Sequence, residues 1–311
     1  MSRPRPSRVL LVGGGHGFVG RAVASELARD HLLRSAHRRP DAWEGEHGIE
    51  WMPTDVADRV DWAARLQGVD AVVNLAWYRA GAASRFRSLE AGLGRLLAAA
   101  VDAGLERFVH VSVPEAPEAL ERSLPYLLYK RQFDRSLARS GVPYTILRPT
   151  ALFGPSDKLL GIMMRAMWRY PWFPMFGDGT YRLSPLSVAD LARVVRLTLA
   201  SPHSGTFDLG GPVGYRYREL TDGMFRALGK PARYWHLSPK GSLRLARLLE
   251  SLGSSLIYRY EVEWLMSDRL GLAPSKEFDF PLERVEPYLA LRATALRRTN
   301  GRSRAFTGGR R

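Results

Sequence analysis

Residues 8–20 read RVLLVGGGHGFVG, a short apolar run followed at once by glycines. Gly14, Gly17 and Gly20 are spaced Gly-x-x-Gly-x-x-Gly, and a helical apolar stripe begins at Val19. This pattern is typical of a dinucleotide-binding turn, in which one glycine permits the tight turn, the next lets a pyrophosphate approach, and the third lets the helix pack on the strand. We predict that Gly14, Gly17, Phe18, Val19 and Gly20 surround the phosphates at the helix start.

The first half of the chain alternates apolar runs with helical patterns. The runs are apolar throughout rather than at every second position, which is typical of a parallel sheet covered on both faces. We therefore predict a doubly wound α/β fold of the Rossmann type. The predicted strands are 8–12, 32–37, 48–53, 70–76, 107–113 and 142–149, and the predicted helices include 89–104 and 123–140.

After Pro149 this alternation stops. Residues 159–176 are rich in Met and aromatic side chains, 186–200 predict a helix, and 205–211 predict a late strand. Residues 242–258 predict an amphipathic helix whose apolar face consists of Leu245, Leu248, Leu249, Leu252 and Leu256. We expect residues 1–150, with parts of 178–212, to form the Rossmann domain. Residues 151–177 and 213–296 would form a smaller, mainly helical cap that lines the substrate, and 297–311 a disordered basic tail.

The composition excludes several classes of protein. Of the 311 residues 45% are hydrophobic, and none is cysteine, which removes disulfides, cysteine-bound zinc, iron–sulfur clusters and thiol nucleophiles. The seven histidines lack metal-ligand spacing, so we expect no metal site. No apolar run is long enough for a transmembrane helix, and the first residues do not resemble a secretory signal. A cytoplasmic location follows as the expectation.

The chain carries a net charge of +15, and much of that excess lies in its arginine-rich ends. A basic surface attracts polyanions in general. No recognition helix or stacking pattern accompanies it, so we expect no specific nucleic-acid partner. Peripheral contact with the inner membrane surface stays open, because the Met- and Trp-rich segment and the helix at 242–258 suit a lipid-like or quinone-like substrate. The oligomeric state stays open as well.

The end of the second strand predicts which nucleotide binds. A carboxylate there would bind the 2′-hydroxyl of NAD, whereas an arginine accommodates the 2′-phosphate of NADP. The strand ends in His37, Arg38 and Arg39, and the first acid is Asp41. Arg38 favours NADP(H), with NAD(H) as the alternative.

Tyr126 and Lys130 are four residues apart within a predicted helix and therefore share one face. A tyrosine has a pKa near 10, so it is a weak base at neutral pH unless a neighbouring cation lowers that pKa. Lys130 would supply this cation. The alternative is a structural tyrosine with no catalytic part.

These stretches resemble the short-chain dehydrogenase/reductase superfamily, in its extended and atypical branches. The residues that carry the resemblance are the glycine turn, Asn74-Leu75-Ala76, the YxxxK of Tyr126 and Lys130, and LRPTALFGPSD at 147–157. Later segments (177–192, 207–212 and 217–231) resemble bacterial epimerase/dehydratase-like proteins and an accessory subunit family of respiratory complex I. The resemblance implies further cofactor contacts at Asp55, Val56, Leu75, Ala76, Lys130 and Pro149. It also implies Ser112 as a donor to the substrate oxygen.

Two functions follow as expectations. The first is an NADP(H)-dependent oxidoreductase or epimerase-type enzyme that transfers hydride to or from an apolar small molecule, with Tyr126 as acid and base. The second is a non-catalytic protein that binds NADPH as a structural or redox-sensing ligand.

Overall fold

The computed structural model describes residues 7–14, 17–38, 49–77, 82–157, 159–200, 204–253 and 257–307, and for 299–307 only the backbone. The strands within these residues are β1 (Arg8–Val12), β2 (Leu32–His37), β3 (Ile49–Pro53), β4 (Ala71–Asn74), β5 (Arg107–Val111), β6 (Tyr144–Pro149), β7 (Leu152–Phe153), β8 (Phe173–Phe176), β9 (Arg182–Leu183), β10 (Leu186–Ser187), β11 (Gly205–Leu209), β12 (Tyr215–Arg216) and β13 (Tyr234–Leu237).

The helices alternate with these strands in the first half and dominate the second half. They are α1 (Phe18–Leu27), α2 (Trp62–Leu66), α3 (Ala83–Asp102), α4 (Glu118–Ser123), α5 (Pro125–Arg139), α6 (Leu159–Arg169), α7 (Val188–Ala200), α8 (Tyr217–Leu228), α9 (Pro239–Ser251), α10 (Arg259–Leu265) and α11 (Val285–Thr307). None of the helices in the described part of the chain combines the length and apolar character that a membrane crossing requires.

The chain divides into two compact units. The first unit contains Met1–Pro149, Val188–Leu209 and Ser275–Asp279, and the second contains Thr150–Ser187, Gly210–Pro274 and Phe280–Arg311. The sheet of the first unit has seven parallel strands in the order β11-β6-β5-β4-β1-β2-β3. This is the strand order of a Rossmann fold, with the reversal between β1 and β4. The predicted fold class is confirmed.

Helices pack on both faces of this sheet. Helix α1 packs with α7, and α3 packs with α5 and α2. Residues 9–12 of β1 are fully buried, as continuous apolar strands in a two-sided sheet should be. Helix α3 begins six residues earlier than predicted because Phe86 extends the buried stripe of Leu89 and Leu93 by one turn.

Two predicted helices have different ends in the structure. The helix expected over 123–140 is α5, which begins at Pro125 because proline suits the first helical position and the preceding Leu124 is extended; the short helix α4 ends just before it, at Ser123. The helix expected over 242–258 is α9, which ends at Ser251 before the left-handed Gly253. Its buried positions are Ser242 and Ala246, whereas Leu248 is 54% and Leu252 73% exposed, so the predicted apolar face is wrong in part. Leu256 lies outside the described residues.

The second unit is mainly helical, as expected, with three two-stranded sheets: β7 with β10, β9 with β12, and β8 with β13. Met163, Met164 and Met167 of α6 are buried in it, so these methionines contribute to its core. Helix α11 extends to Thr307 and therefore includes most of the segment expected to be a disordered tail. Residues 308–311 lie outside the described residues.

Candidate nucleotide and active site

The glycine turn connects β1 to α1 at the point where the strand order reverses. Gly13 has a φ of +80°, and a Cβ there would lie 2.6 Å from the backbone of Ala76. A Cβ on Gly14 would lie 2.3 Å from the Leu11 side chain, so this glycine is required by packing. The left-handed residue of this turn is therefore Gly13, which directly precedes the Gly-x-x-Gly-x-x-Gly motif.

Gly17 is the N-cap of α1, and it supplies no side chain to the helix start. Among the residues that the structure describes, no atom beyond its chain neighbours lies closer than 4.0 Å to a Cβ built on Gly17. The first turn of α1, which contains Phe18, Val19 and Gly20, has no acidic residue. Backbone N–H groups and the positive end of the helix dipole at such a start suit a phosphate group.

The turn after β4 lies next to the glycine turn. The Leu75 N–H donates to the Val12 carbonyl at 2.8 Å, and the Ala76 N–H donates to Asn74 Oδ1 at 3.0 Å. Asn74 Nδ2 in turn contacts His110 Nδ1 at 3.0 Å. These bonds fix Leu75 and Ala76 at the carboxyl end of the sheet, where dinucleotides bind in this fold.

Arg38 directly follows β2, whose partner in the sheet is β1. It is exposed, and the register of the two strands places it beyond the carboxyl end of β1, on the side of the glycine turn. Arg39 and Asp41 lie outside the described residues.

Asp55 and Val56 follow β3 in a turn that packs closely on α3. Asp55 Oδ1 accepts a hydrogen bond from the Ala57 N–H at 3.0 Å, which closes the turn. A Cβ on Gly92 of α3 would lie only 1.8 Å from the Val56 carbonyl oxygen. Glycine at 92 therefore permits the contact that fixes this turn.

Tyr126 and Lys130 both contact Trp77, which follows the turn after β4. The Tyr126 ring lies edge-on to Trp77 at 6.2 Å and to Phe86 at 6.0 Å, between ring centroids. Lys130 Nζ lies 4.6 Å from the centroid of a Trp77 ring and donates to the Val111 carbonyl at 2.9 Å. Trp77, Phe86, Tyr126 and Lys130 form an aromatic and cationic cluster, which we call the tryptophan cluster.

The electrostatics of this cluster depend on burial. Lys130 is 4% exposed. Loss of hydration lowers its pKa to about 7, although Asp134 opposes that shift and Arg131 adds to it. A lysine with this pKa changes its charge near neutral pH, where proton transfer by a tyrosine would also have to occur.

Ser112 lies at the end of β5 and is 3% exposed. Its hydroxyl donates to Asp134 Oδ2 at 2.8 Å. Asp134 also accepts from Arg131 Nη1, and Arg131 Nε donates to Glu121 at 3.0 Å. A serine has one hydroxyl hydrogen, so in this geometry Ser112 donates it to Asp134, and the predicted donation to a substrate requires the hydroxyl to rotate away from Asp134.

His110 completes this buried polar group. It is fully buried, and its Nε2 lies 3.4 Å from Asp134 Oδ1. Burial is the main cause that lowers its pKa to about 3, and the positive charge of Lys130 adds to that effect. His110 is therefore neutral at physiological pH and helps to hold the Asn74 amide.

Sequence reasoning did not identify Trp77 or Asp134 as residues of this site. Asp134 lies four residues beyond Lys130 on the same face of α5, so the spacing that groups Tyr126 with Lys130 would have found it. Trp77 follows the Leu75-Ala76 turn directly, and that position next to the predicted cofactor turn was its signal. Pro149 is buried at the end of β6, on the same strand as Arg148. The catalytic and cofactor roles assigned to individual residues stay predictions.

Residues 14–165 match the family model described as NAD(P)H-binding. The chain is 29% identical to (4-alkanoyl-5-oxo-2,5-dihydrofuran-3-yl)methyl phosphate reductase of Streptomyces griseus, over 74% of this chain and 77% of the relative. It is 25% identical to NADH dehydrogenase (ubiquinone) 1 alpha subcomplex subunit 9 of Arabidopsis thaliana, a mitochondrial protein. That alignment covers 73% of this chain and 59% of the relative, so it spans less than two thirds of that protein.

The fold is also similar to solved structures. UDP-glucose 4-epimerase of Thermotoga maritima superposes with a TM-score of 0.69 at 18% identity, over 94% of this chain and 99% of the epimerase. Residues 14–165 therefore form a domain of the NAD(P)H-binding type, and the chain has the fold of the solved nucleotide-sugar epimerases. The predicted resemblance is confirmed.

Proposed function

We propose that this protein is an NADP(H)-dependent oxidoreductase or epimerase-type enzyme that acts on a carbonyl or hydroxyl group of a largely apolar small molecule. The observation that carries the proposal is the tryptophan cluster, in which the Tyr126 ring and the Lys130 ammonium both contact Trp77. The open glycine turn at Gly17 and the uncapped start of α1 fit a dinucleotide's phosphates.

A nicotinamide bound at this site would give or accept the hydride. Tyr126 would hold the proton at the substrate oxygen, donating it in reduction and accepting it in oxidation. The charge of Lys130 would lower the pKa of the phenol, and its Nζ would bind the ribose hydroxyls. Because Ser112 donates to Asp134, the proposal gives the proton transfer to Tyr126 and makes Ser112 an anchor of the α5 helix.

The proposed substrate class rests on the aromatic side chains beside Tyr126. Trp77 is partly exposed and stacks on the buried Phe86 with ring centroids 6.0 Å apart, so its ring offers an apolar surface next to the phenol. The Streptomyces relative is named as the reductase of a methyl phosphate that carries an alkanoyl group, which supports a substrate with a carbonyl and an apolar chain. A quinone or lipid-like molecule belongs to the same class. A cytoplasmic location with peripheral contact to the inner membrane is part of this proposal.

We further propose that the protein prefers NADP(H) to NAD(H), because Arg38 lies directly beyond the carboxyl end of β2. An arginine donates two parallel hydrogen bonds to a phosphate, and it would meet the 2′-phosphate at this point of the fold.

A second function has an observation in its favour. Lys130 Nζ is already bound to the Val111 carbonyl and covered by Trp77, an arrangement that suits a structural lysine as well. Together with the similarity to the complex I subunit, this supports a non-catalytic NADPH-binding protein as the alternative.

Tyr126→Phe distinguishes the two functions, because it removes the hydroxyl and keeps the ring beside Trp77. Purified protein would be assayed for NADPH oxidation with ketones, quinones and lactones that carry alkanoyl groups. We expect turnover of any accepted substrate to fall by about 10²–10⁴, the usual contribution of a positioned proton donor, with NADPH affinity unchanged.

Tyr129→Phe is the matched control. Tyr129 is on the same helix, and its hydroxyl accepts from Arg87 Nε at 2.9 Å in an exposed hydrogen bond. We expect this variant to keep wild-type turnover. Equal turnover of the two variants, or no turnover by the wild type on the whole panel, would support the non-catalytic function instead.

A further inference from the structure

Two tryptophans of the second unit are exposed at one end of the small sheet formed by β8 and β13. Trp172 is 56% and Trp235 59% exposed, and Tyr170 next to Trp172 is exposed as well. Tryptophan is a large apolar side chain that proteins normally bury. Two exposed tryptophans in one place therefore indicate an interaction surface.

The sheet register places these side chains on one face. Trp235 pairs with Pro174, and the Phe173 N–H donates to the Arg233 carbonyl at 3.0 Å, which continues the ladder by one residue. Partners in a parallel pair point to the same side, and side chains alternate along each strand. Trp172, Pro174, Arg233 and Trp235 therefore share a face.

Further along, the same face belongs to the core of the second unit. Phe176 and Leu237 follow Pro174 and Trp235 in the same alternation, and they pack with Ala246 of α9 and Val262 of α10. The two helices thus cover one end of the face, while the indoles at the other end remain exposed to solvent. We call Tyr170, Trp172, Pro174, Arg233 and Trp235 the indole face.

The two chain segments that contain the indole face are basic, and Asp222, which directly precedes the second of them, accepts from the Tyr234 hydroxyl on the opposite face of β13. Residues 158–177 and 223–249 contain no Asp or Glu. Within these two segments the exposed basic residues are Arg165, Arg169, Arg226, Arg233, Lys240, Arg244 and Arg247. Arg169 lies over the Tyr170 ring at 5.6 Å, which joins a cation directly to the exposed aromatic side chains.

We propose that the indole face docks this protein on the surface of an anionic phospholipid bilayer. Indole and phenol rings bind at the level of the lipid headgroups, where one side of the ring is apolar and the other is hydrated. Arginines beside them are attracted to anionic headgroups, and their apolar stems tolerate the interface. A second copy of the chain fits less well, because the same acid-free basic segments would face each other. This inference specifies the surface for the peripheral membrane contact that is part of the proposed function, and it does not depend on the catalytic step.

The test uses the whole protein and flotation with vesicles of phosphatidylcholine, alone or mixed with phosphatidylglycerol. We expect binding to the mixed vesicles, little binding to phosphatidylcholine alone, and weaker binding at high salt. In the double variant Trp172→Ser, Trp235→Ser the partition coefficient should fall by about tenfold or more, because the apolar contact is lost. Both side chains are exposed, so the melting temperature and nucleotide binding should be retained.

Leu291→Ser is the matched control. Leu291 is 67% exposed on α11, and the segment before it contains Glu283 and Glu286. Its loss should leave vesicle binding unchanged. The proposal is overturned if the tryptophan variant binds mixed vesicles as well as the wild type, since binding would then be a general effect of net charge. It is also overturned if the tryptophans matter instead for self-association in light scattering, or for binding a single-stranded oligonucleotide while vesicles are ignored.

Discussion

Replacing Lys130 by Met is expected to change how the free energy of unfolding depends on pH. Burial lowers the pKa of Lys130 from 10.5 to about 7 in the folded protein, whereas the unfolded chain restores the higher value. Between these two pKa values the unfolded state binds a proton that the folded state does not. The free energy of unfolding of the wild type therefore rises with pH through this range.

The size of the effect follows from the two pKa values. From about pH 6 to about pH 9, Lys130 adds about 2.7 kcal/mol to the wild-type free energy of unfolding, at 1.36 kcal/mol for each pKa unit of difference. Lys130→Met lacks this contribution, so the variant gains stability relative to the wild type as the pH falls. The titration of His110 does not contribute to this difference, because its pKa of about 3 lies well below the range. Burial is the main cause of that low pKa, and His110 stays buried in the variant.

Urea unfolding of both proteins, without nucleotide, at several pH values across this range measures the difference. Other titrating groups are common to both proteins and cancel in it. Lys240→Met is the control, because Lys240 is exposed on α9 and its removal should leave the pH dependence unchanged. The free energies of unfolding of Lys130→Met and the wild type are compared at both ends of the pH range. If their difference is the same at both ends, the Lys130 ammonium is not desolvated and the account of this site is wrong.

Two further substitutions test the nucleotide site. Arg38→Ala should weaken NADPH binding by roughly ten- to a hundredfold in a fluorescence titration and leave NADH binding nearly unchanged, because a charge-assisted contact to the 2′-phosphate is lost; equal affinities of the wild type for the two nucleotides would contradict this. Gly92→Ala should lower the free energy of unfolding by about 1–3 kcal/mol, since its Cβ would lie 1.8 Å from the Val56 carbonyl oxygen. Gly94→Ala, whose Cβ meets nothing within 4 Å in the same helix, should be neutral or stabilising, so equal losses in the two variants would refute the packing argument.

Much of the site was predictable because its residues follow strands that the sequence marks clearly. An apolar run that ends in glycine, as at Val12 and Gly13, needs no knowledge of distant residues. Parallel strands then bring their carboxyl ends to one edge, so Arg38, Asp55 and Ala76 were expected near the glycine turn. Which glycine takes the left-handed conformation was not predictable, because Gly13 is constrained by the backbone of Ala76, which is distant in sequence.

The sequence by itself determined the doubly wound sheet, the glycine turn and the shared helix face of Tyr126 and Lys130, because each depends on local spacing. Only the tertiary structure decided that Ser112 donates to Asp134, 22 residues away, and that Trp77 covers Lys130. It also decided that Trp172 and Trp235 stay exposed while Met164 is buried. Hydrogen-bond partners and loss of hydration depend on which helices and strands pack against each other. A linear pattern of residue types does not specify those tertiary contacts.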